Sequence, residues 1–147
     1  MSTLEKAIAL AAQAHAGQTD KGGNPYILHP LRVMLNMPTD ETKIAAVLHD
    51  VLEDTAVTVA DLQAAGFSEP VIAAVIALTR REGEAYEDFI RRAKQDAIAR
   101  KVKLGDIEDN MDLSRILEPT EQDYERRKRY EKAALLLTSQ GQYEGNG

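Results

Sequence analysis

His49 and Asp50 are adjacent in the run from Ile44 to Thr55, IAAVLHDVLEDT, and Glu53 and Asp54 follow one helical turn later. At about 100° per residue an α-helix gathers these four on one arc, with 49 over 53 and 50 over 54. Ile44, Val47, Leu48, Val51 and Leu52 occupy the rest of the circumference. One imidazole and three carboxylates on a single face make either an ordinary solvated face or a metal site with acid–base groups beside it. What the rest of the chain brings to that face decides between them.

The chain has two further histidines, His15 and His29, and no cysteine. Disulfides and Cys-based zinc sites are thereby excluded. His29 closes the segment GQTDKGGNPYILHP, and Asp106 sits beside Gly105 in KLGDIEDN with Asn110 one turn further on. A glycine inside a helix permits close approach of a neighbouring element. Two His and two Asp form a mixed nitrogen and oxygen donor set, suited to Mn²⁺ and compatible with Fe²⁺ or Zn²⁺. Each residue also has a plainer role open to it. Asp106 and Asn110 can be a solvated helix face, His29 a helix cap or core residue, Lys21 a loop lysine, and Glu53 and Asp54 an outer face. His15 has no ligand spacing and reads as structural, bonding the neighbouring loop.

The elements that must position these residues are all helical. Thr39 is an N-cap ahead of Asp40 and Glu41, whose charge suits a first helical turn. A capping box from Ser2 to Glu5 predicts a helix to Ala16, with Leu4, Ile8 and Ala11 or Ala12 as its buried stripe. Gly17 to Pro30 is a loop too long and too rich in Gly and Pro to be regular, and such loops are often functional. Pro30 suits the first position of a short helix through Met37, leaving His29 at its N-terminal edge. Thr58 and Ser68 cap two further helices, the first stopping at Gly66 and the second reaching Thr79, before a turn from Arg80 to Gly83. Ala85 to Lys94 is helical. Asp96 to Leu117 reads as one helix facing inward through Ile98, Val102, Ile107 and Met111, until Pro119 breaks it. A last helix spans Glu121 to Thr138. The predicted fold is all-α, one compact domain over residues 1–140, with a frayed tail at 141–147.

Composition bounds the function. The 147 residues are 44% hydrophobic and carry 18 basic against 24 acidic side chains, a net charge of −6. That balance argues against a non-specific grip on nucleic acid or an anionic membrane, but leaves room for a small anionic substrate held by a metal and a few placed cations. The N-terminus lacks both a signal-peptide layout and a membrane-length apolar run, so a cytoplasmic location is expected.

AAQAHAGQTDKGGNPYILHP, then AAVLHDVLEDT, then VKLGDIEDN, with the closing YERRKRYEKAALLL, together resemble the HD-domain hydrolase of the RelA/SpoT alarmone enzymes. The match is closer still to the free-standing small alarmone hydrolases of the Mesh type. The resemblance implies one Mn²⁺ held by His29, His49, Asp50 and Asp106, with Glu53 and Asp54 orienting or deprotonating the attacking water. It implies substrate contacts from Lys21 and Asn110, and hydrolysis of the 3′-pyrophosphate of (p)ppGpp to pyrophosphate and GDP or GTP. A divalent ion makes water a usable nucleophile near neutral pH, and a carboxylate one turn from the ligand pair can take the proton. Tyr86, after the REGE turn, is expected either as a pocket wall or in core packing. At this length no synthetase domain is expected to follow.

Departures fall on the substrate side. Asp20 stands where the family has Arg, which leaves guanine and adenine alarmones, (p)ppGpp and (pp)pApp, both open. Asp109 replaces a His or Tyr, and Leu113 a frequent Thr. Two other readings compete: an HD-type phosphatase on another nucleotide, such as the 2′-phosphate of NADPH, and a binding module that senses the nucleotide without turnover. Oligomeric state is open, since the last helix suits either internal packing or a dimer face.

Overall fold

A computed structural model describes residues 3–116 and 118–139. Along the chain run α1 (Leu4–Ala14), α2 (Leu28–Leu35), α3 (Asp40–Leu48), α4 (Val51–Asp54), α5 (Val59–Ala64), α6 (Glu69–Ala77), α7 (Tyr86–Lys94), α8 (Ala97–Asn110), a 3₁₀ turn (Leu113–Arg115) and α9 (Glu121–Thr138). No β-strand occurs among the described residues, only an isolated bridge between Thr19 and Pro25. The all-α expectation holds. The expected tail at 141–147 lies outside the described residues.

α3 is the buried axis. Ile44 to Leu48 are all buried, and α3 packs against α1, α2, α6 and α8. Thr39 caps it as its sequence position predicts, accepting from the Thr42 amide at 3.2 Å while Thr42 Oγ1 accepts from the Thr39 amide at 3.0 Å. The apolar interior falls into two clusters. One joins α1, α2, α3, α5 and α6 to Ala99 and Val102 of α8; the other joins Phe89 and Ile90 of α7, Ile107 of α8 and Ala133 and Leu137 of α9. α8 thus contributes to both, and Asp106 lies between its two apolar stretches. Among the described residues no helix is long and apolar enough to cross a membrane.

Several boundaries differ from the sequence reading: α1, α2 and α6 stop at Ala14, Leu35 and Ala77, each two residues short of expectation, and four further differences stand out. The helix expected to run unbroken through Ile44–Thr55 is interrupted at His49–Asp50. There the His49 amide bonds Ala46 O, three residues back rather than four, and Asp50 takes φ −105° and ψ 0°, in the sparsely used bridge region. At the N-terminus Thr3, not Ser2, is the described cap, accepting from the Lys6 amide; Ser2 lies outside the described residues. Of the expected stripe, Ala11 is buried and Leu4 and Ile8 are partly buried, whereas Ala12 is exposed and Ala7 takes the inner place. α2 begins at Leu28, two residues before Pro30, because Leu28 and His29 already bond Pro25 O and Tyr26 O. Pro30 still lies in the first turn, where an amide has no intrahelical partner. α8 ends at Asn110 rather than running to Leu117, since the Asp112 carboxylate accepts from the Ser114 amide at 2.9 Å and starts the 3₁₀ turn.

Candidate metal centre

Three elements deliver the ligand-type side chains to one buried point. His29 comes from the first turn of α2, His49 from the end of α3, and Asp106 from the middle of α8. Each offers a ligand atom within 4.8 Å of the others, and all three residues are buried. Gly105 permits a close approach: a Cβ there would meet Met37 Cε at 2.8 Å and Val33 Cγ1 at 3.3 Å, so the end of Met37 and the Val33 side of α2 would have to give way to any side chain. Asp50, the other expected ligand, stands beside this group of three rather than within it, at the break after α3, with Oδ2 3.2 Å from His49 Nε2.

The hydrogen bonds fix the direction of each ring. His49 Nδ1 lies 2.6 Å from the Ala46 carbonyl, which can only accept, so Nδ1 carries the proton and Nε2 presents its lone pair. That Nε2 is buried and has no hydrogen-bond partner. It faces Asp50 Oδ2 at 3.2 Å and Asp106 Oδ1 at 3.4 Å. Three acceptors turned on one another in a low dielectric demand positive charge between them. Burial alone would push the His49 imidazole down, but Asp50 and Asp106 more than reverse this and hold it well above its ordinary range. Burial likewise works to raise Asp106, yet Lys103, His49 and His29 hold it well below the usual carboxylate range. Lys103 Nζ, itself nearly buried, donates to Asp106 Oδ2 at 2.7 Å. The demand for positive charge that raises His49 is one a divalent cation can meet: an imidazole nitrogen and two carboxylates turned on one point fit such an ion.

His29 is held by side chains instead. Its Nε2 lies 2.8 Å from Asp106 Oδ1 and its Nδ1 2.6 Å from Asp109 Oδ2. Arg32 grips Asp109 with both arms, Nε to Oδ1 at 2.8 Å and Nη2 to Oδ2 at 3.1 Å. Tyr26 donates its hydroxyl to Asp50 Oδ2, and its ring lies 5.7 Å from that of His29 and 5.0 Å from that of His15. Burial and the Asp50 charge raise the Tyr26 phenol, which keeps it a donor. Sequence reading missed Tyr26, Arg32, Lys103 and the bond made by Asp109. Arg32 and Lys103 each lie one turn from an expected ligand, three residues from His29 and from Asp106, and that spacing was the available signal.

Glu53 and Asp54 are exposed on α4, at the edge of the cluster. Glu53 Oε1 accepts from the Arg80 amide at 3.0 Å. Asp54 is raised by partial burial and by the charges of Asp50 and Glu53. The turn carrying Arg80 is braced by Glu84, whose carboxylate accepts from Arg92 at 2.9 and 3.0 Å.

Beside His29 and Tyr26 opens a cavity of about 310 Å³, lined also by Thr19, Lys21, Arg32 and Asn110. Lys21 reaches Asp123 at 3.5 Å and Asn110 Nδ2 donates to Asp106 Oδ1 at 3.1 Å. Leu113 lines the cavity too. Asp20 ties the preceding loop, its Oδ1 accepting from the Gly22 and Asn24 amides at 2.9 Å each. His15 bonds Gln18 at 2.9 Å, the loop contact expected of it. Tyr86 is not brought to this cavity. Its ring packs against Phe89, 6.2 Å between centroids, and it lines a separate groove between α7 and α9.

The bundle with paired His and Asp at its buried centre has a counterpart among known families. The HD domain family model matches residues 7–111. The chain belongs to the HD-domain family. HD domains bind a divalent metal, and the cluster of His29, His49 and Asp106 is where this chain offers ligands for one. It is 36% identical over 113 residues to the guanosine-3′,5′-bis(diphosphate) 3′-pyrophosphohydrolase of Vibrio cholerae, covering 74% of this chain and 16% of that protein. It is 32% identical over 151 residues to the bifunctional (p)ppGpp synthase/hydrolase SpoT of Escherichia coli, covering 92% of this chain and 21% of that one. The chain thus spans about a fifth of the length of these curated relatives. A solved structure of a metazoan ortholog of SpoT, described as hydrolysing ppGpp, shares the fold with a TM-score of 0.74 at 23% identity, over 93% of this chain and 85% of that one.

Proposed function

We propose that this chain hydrolyses the 3′-pyrophosphate of an alarmone nucleotide, (p)ppGpp or (pp)pApp, with Mn²⁺ bound by His29, His49, Asp50 and Asp106. The observation that carries the reading is the buried, partnerless Nε2 of His49 facing two carboxylates, next to a polar cavity. The names of the relatives supply the substrate class. When bound, the divalent ion offsets charge on the attacked phosphoryl group and acidifies water.

The chain's own residues do the rest. Asp54, raised by its surroundings, takes the proton of the attacking water, and Glu53, seated on the Arg80 amide, orients it. Tyr26 steadies Asp50 through its hydroxyl. Lys21, itself exposed, gives up its partner Asp123 for a substrate phosphate, and Asn110 contacts the ribose or phosphate side. The partner is a small nucleotide rather than a nucleic-acid polymer, and the proposed setting is the cytoplasm. Asp20 lies on the cavity wall but spends Oδ1 on its own loop.

The test is one panel: purified protein with Mn²⁺ against ppGpp, pppGpp, ppApp and NADPH, with pyrophosphate and orthophosphate both quantified. Pyrophosphate from an alarmone, lost in Asp50→Ala and Glu53→Ala, is the expected result, and the preferred alarmone identifies the base. Folded, metal-loaded protein that releases no pyrophosphate from any alarmone would sink the reading.

A further inference from the structure

We propose that Asp109 and Arg32 form a positioning pair that sets the tautomer and direction of His29, and so tune how tightly this chain holds its metal. The inference rests on the metal site of the preceding section but not on the identity of the substrate.

The two histidines reach the same point by different means. His49 Nδ1 bonds the carbonyl of Ala46, a contact that any side chain at position 46 would supply. His29 Nδ1 has no such backbone partner; its proton goes to Asp109 Oδ2 at 2.6 Å. With Nδ1 donating, Nε2 is left with its lone pair toward Asp106. A carboxylate behind a metal-facing imidazole fixes ring orientation and raises ligand basicity.

Arg32 makes this work. The guanidinium clamps both Asp109 oxygens in a fork, fixing the carboxylate plane and offsetting its charge. Arg32 and His29 lie three residues apart on α2, and Asp109 and Asp106 three apart on α8. The inner pair is His29 with Asp106 and the outer pair Arg32 with Asp109, so the same two helix faces carry ligand and support together. The outer pair is 30% and 11% exposed, against 6% for each side chain of the inner pair. Being less buried, it can be altered without opening the core.

The test reads Mn²⁺ affinity by calorimetry on metal-free protein, with circular dichroism to confirm the fold. Asp109→Ala is expected to weaken binding about 10- to 100-fold, the usual loss for such a partner. Asp109→Asn, whose amide oxygen still accepts from Nδ1, should recover part of the loss. Arg32→Gln should weaken binding less than Asp109→Ala, and the double variant should lose less than the product of the singles, because both act through one ring. Spectra of ¹⁵N-histidine in Zn²⁺-loaded protein should show His29 protonated at Nδ1 in the wild type and mixed in Asp109→Ala. Wild-type affinity in a folded Asp109→Ala overturns the proposal. If that variant does not fold, wild-type affinity in Arg32→Gln overturns it equally. A wild type that binds Mn²⁺ as expected yet hydrolyses no alarmone removes the proposed substrate and leaves this inference standing.

Discussion

The buried ligand cluster and the exposed carboxylate pair beside it are built on opposite principles. His29, His49 and Asp106 come from three different helices and each is held by a neighbour: Lys103 on Asp106, Asp109 on His29, a backbone carbonyl on His49. Glu53 and Asp54 sit on a single helical turn, α4, at the surface, and Glu53 is steadied by one amide from a neighbouring turn. Ligands must hold a geometry against mutual repulsion, so they need the rigidity of the core. Groups that exchange protons with water need access to it, and burial would shift them out of range. The break at His49–Asp50 is what lets one segment serve both ends, sending two side chains inward before the chain emerges on α4.

Substitutions can separate the two regions. Asp106→Ala should do most: it leaves Lys103 buried without its counter-charge and removes the carboxylate that both imidazoles face. Mn²⁺ binding and turnover should vanish, and urea unfolding should show a loss of about 3–5 kcal/mol, the range for a broken buried pair. Retained metal binding would mean the cluster is not the site.

Glu53→Gln and Asp54→Asn should lower kcat by about 10²–10⁴ while Mn²⁺ affinity and unfolding midpoints stay put. The Gln carbonyl can still accept from Arg80, so the seat survives and only the charge is lost. A matching drop in metal affinity would erase the distinction between the regions.

Asp20→Ala tests the cavity side. It strips two loop amides of their acceptor, which costs about 1 kcal/mol, and should raise KM with kcat little changed. Asp20→Asn, which keeps the accepting oxygen, should behave as wild type. Equal behaviour of the two variants would show that loop order is not what this side chain supplies.

The smallest effect is expected at Glu84, which braces the turn behind Glu53. Arg92 and the Arg81 amide hold its carboxyl down from 4.5 to about 2. A group lowered on folding stabilises fully above its unfolded pKa and loses that contribution as pH falls through the folded value. Glu84→Gln should therefore melt below wild type at pH 7, and the gap in Tm should close as pH drops from 4.5 toward 2. A gap that persists in acid would assign the effect to shape rather than charge.

The local rules were legible wherever one residue type answers one geometric need. Thr39, Thr58 and Ser68 cap the helices their positions predict, and the last helix, capped by Thr120, keeps its expected bounds of Glu121 and Thr138. The all-α class, the three motifs and the meaning of Gly105 as a point of close approach also followed from the sequence. Misread boundaries were those where a side chain competes with the helix ladder, as Asp112 does at the end of α8. The break after α3 had no signal in propensity, because His49 and Asp50 leave the helix to serve contacts made by distant elements.

What only the tertiary structure decided is which charges meet. Asp109 reads as a departure on the substrate side, and becomes the partner of His29 and Arg32 only because α8 lies against α2. Tyr26 reads as loop and Tyr86 as either pocket wall or core; packing sends Tyr26 to Asp50 and Tyr86 to Phe89. Sequence by itself determined the helices, their caps and the residue types able to hold a metal, since these rest on spacing along one chain. Contacts across roughly 80 positions are set by how the helices pack, and spacing along the chain carries no information about them.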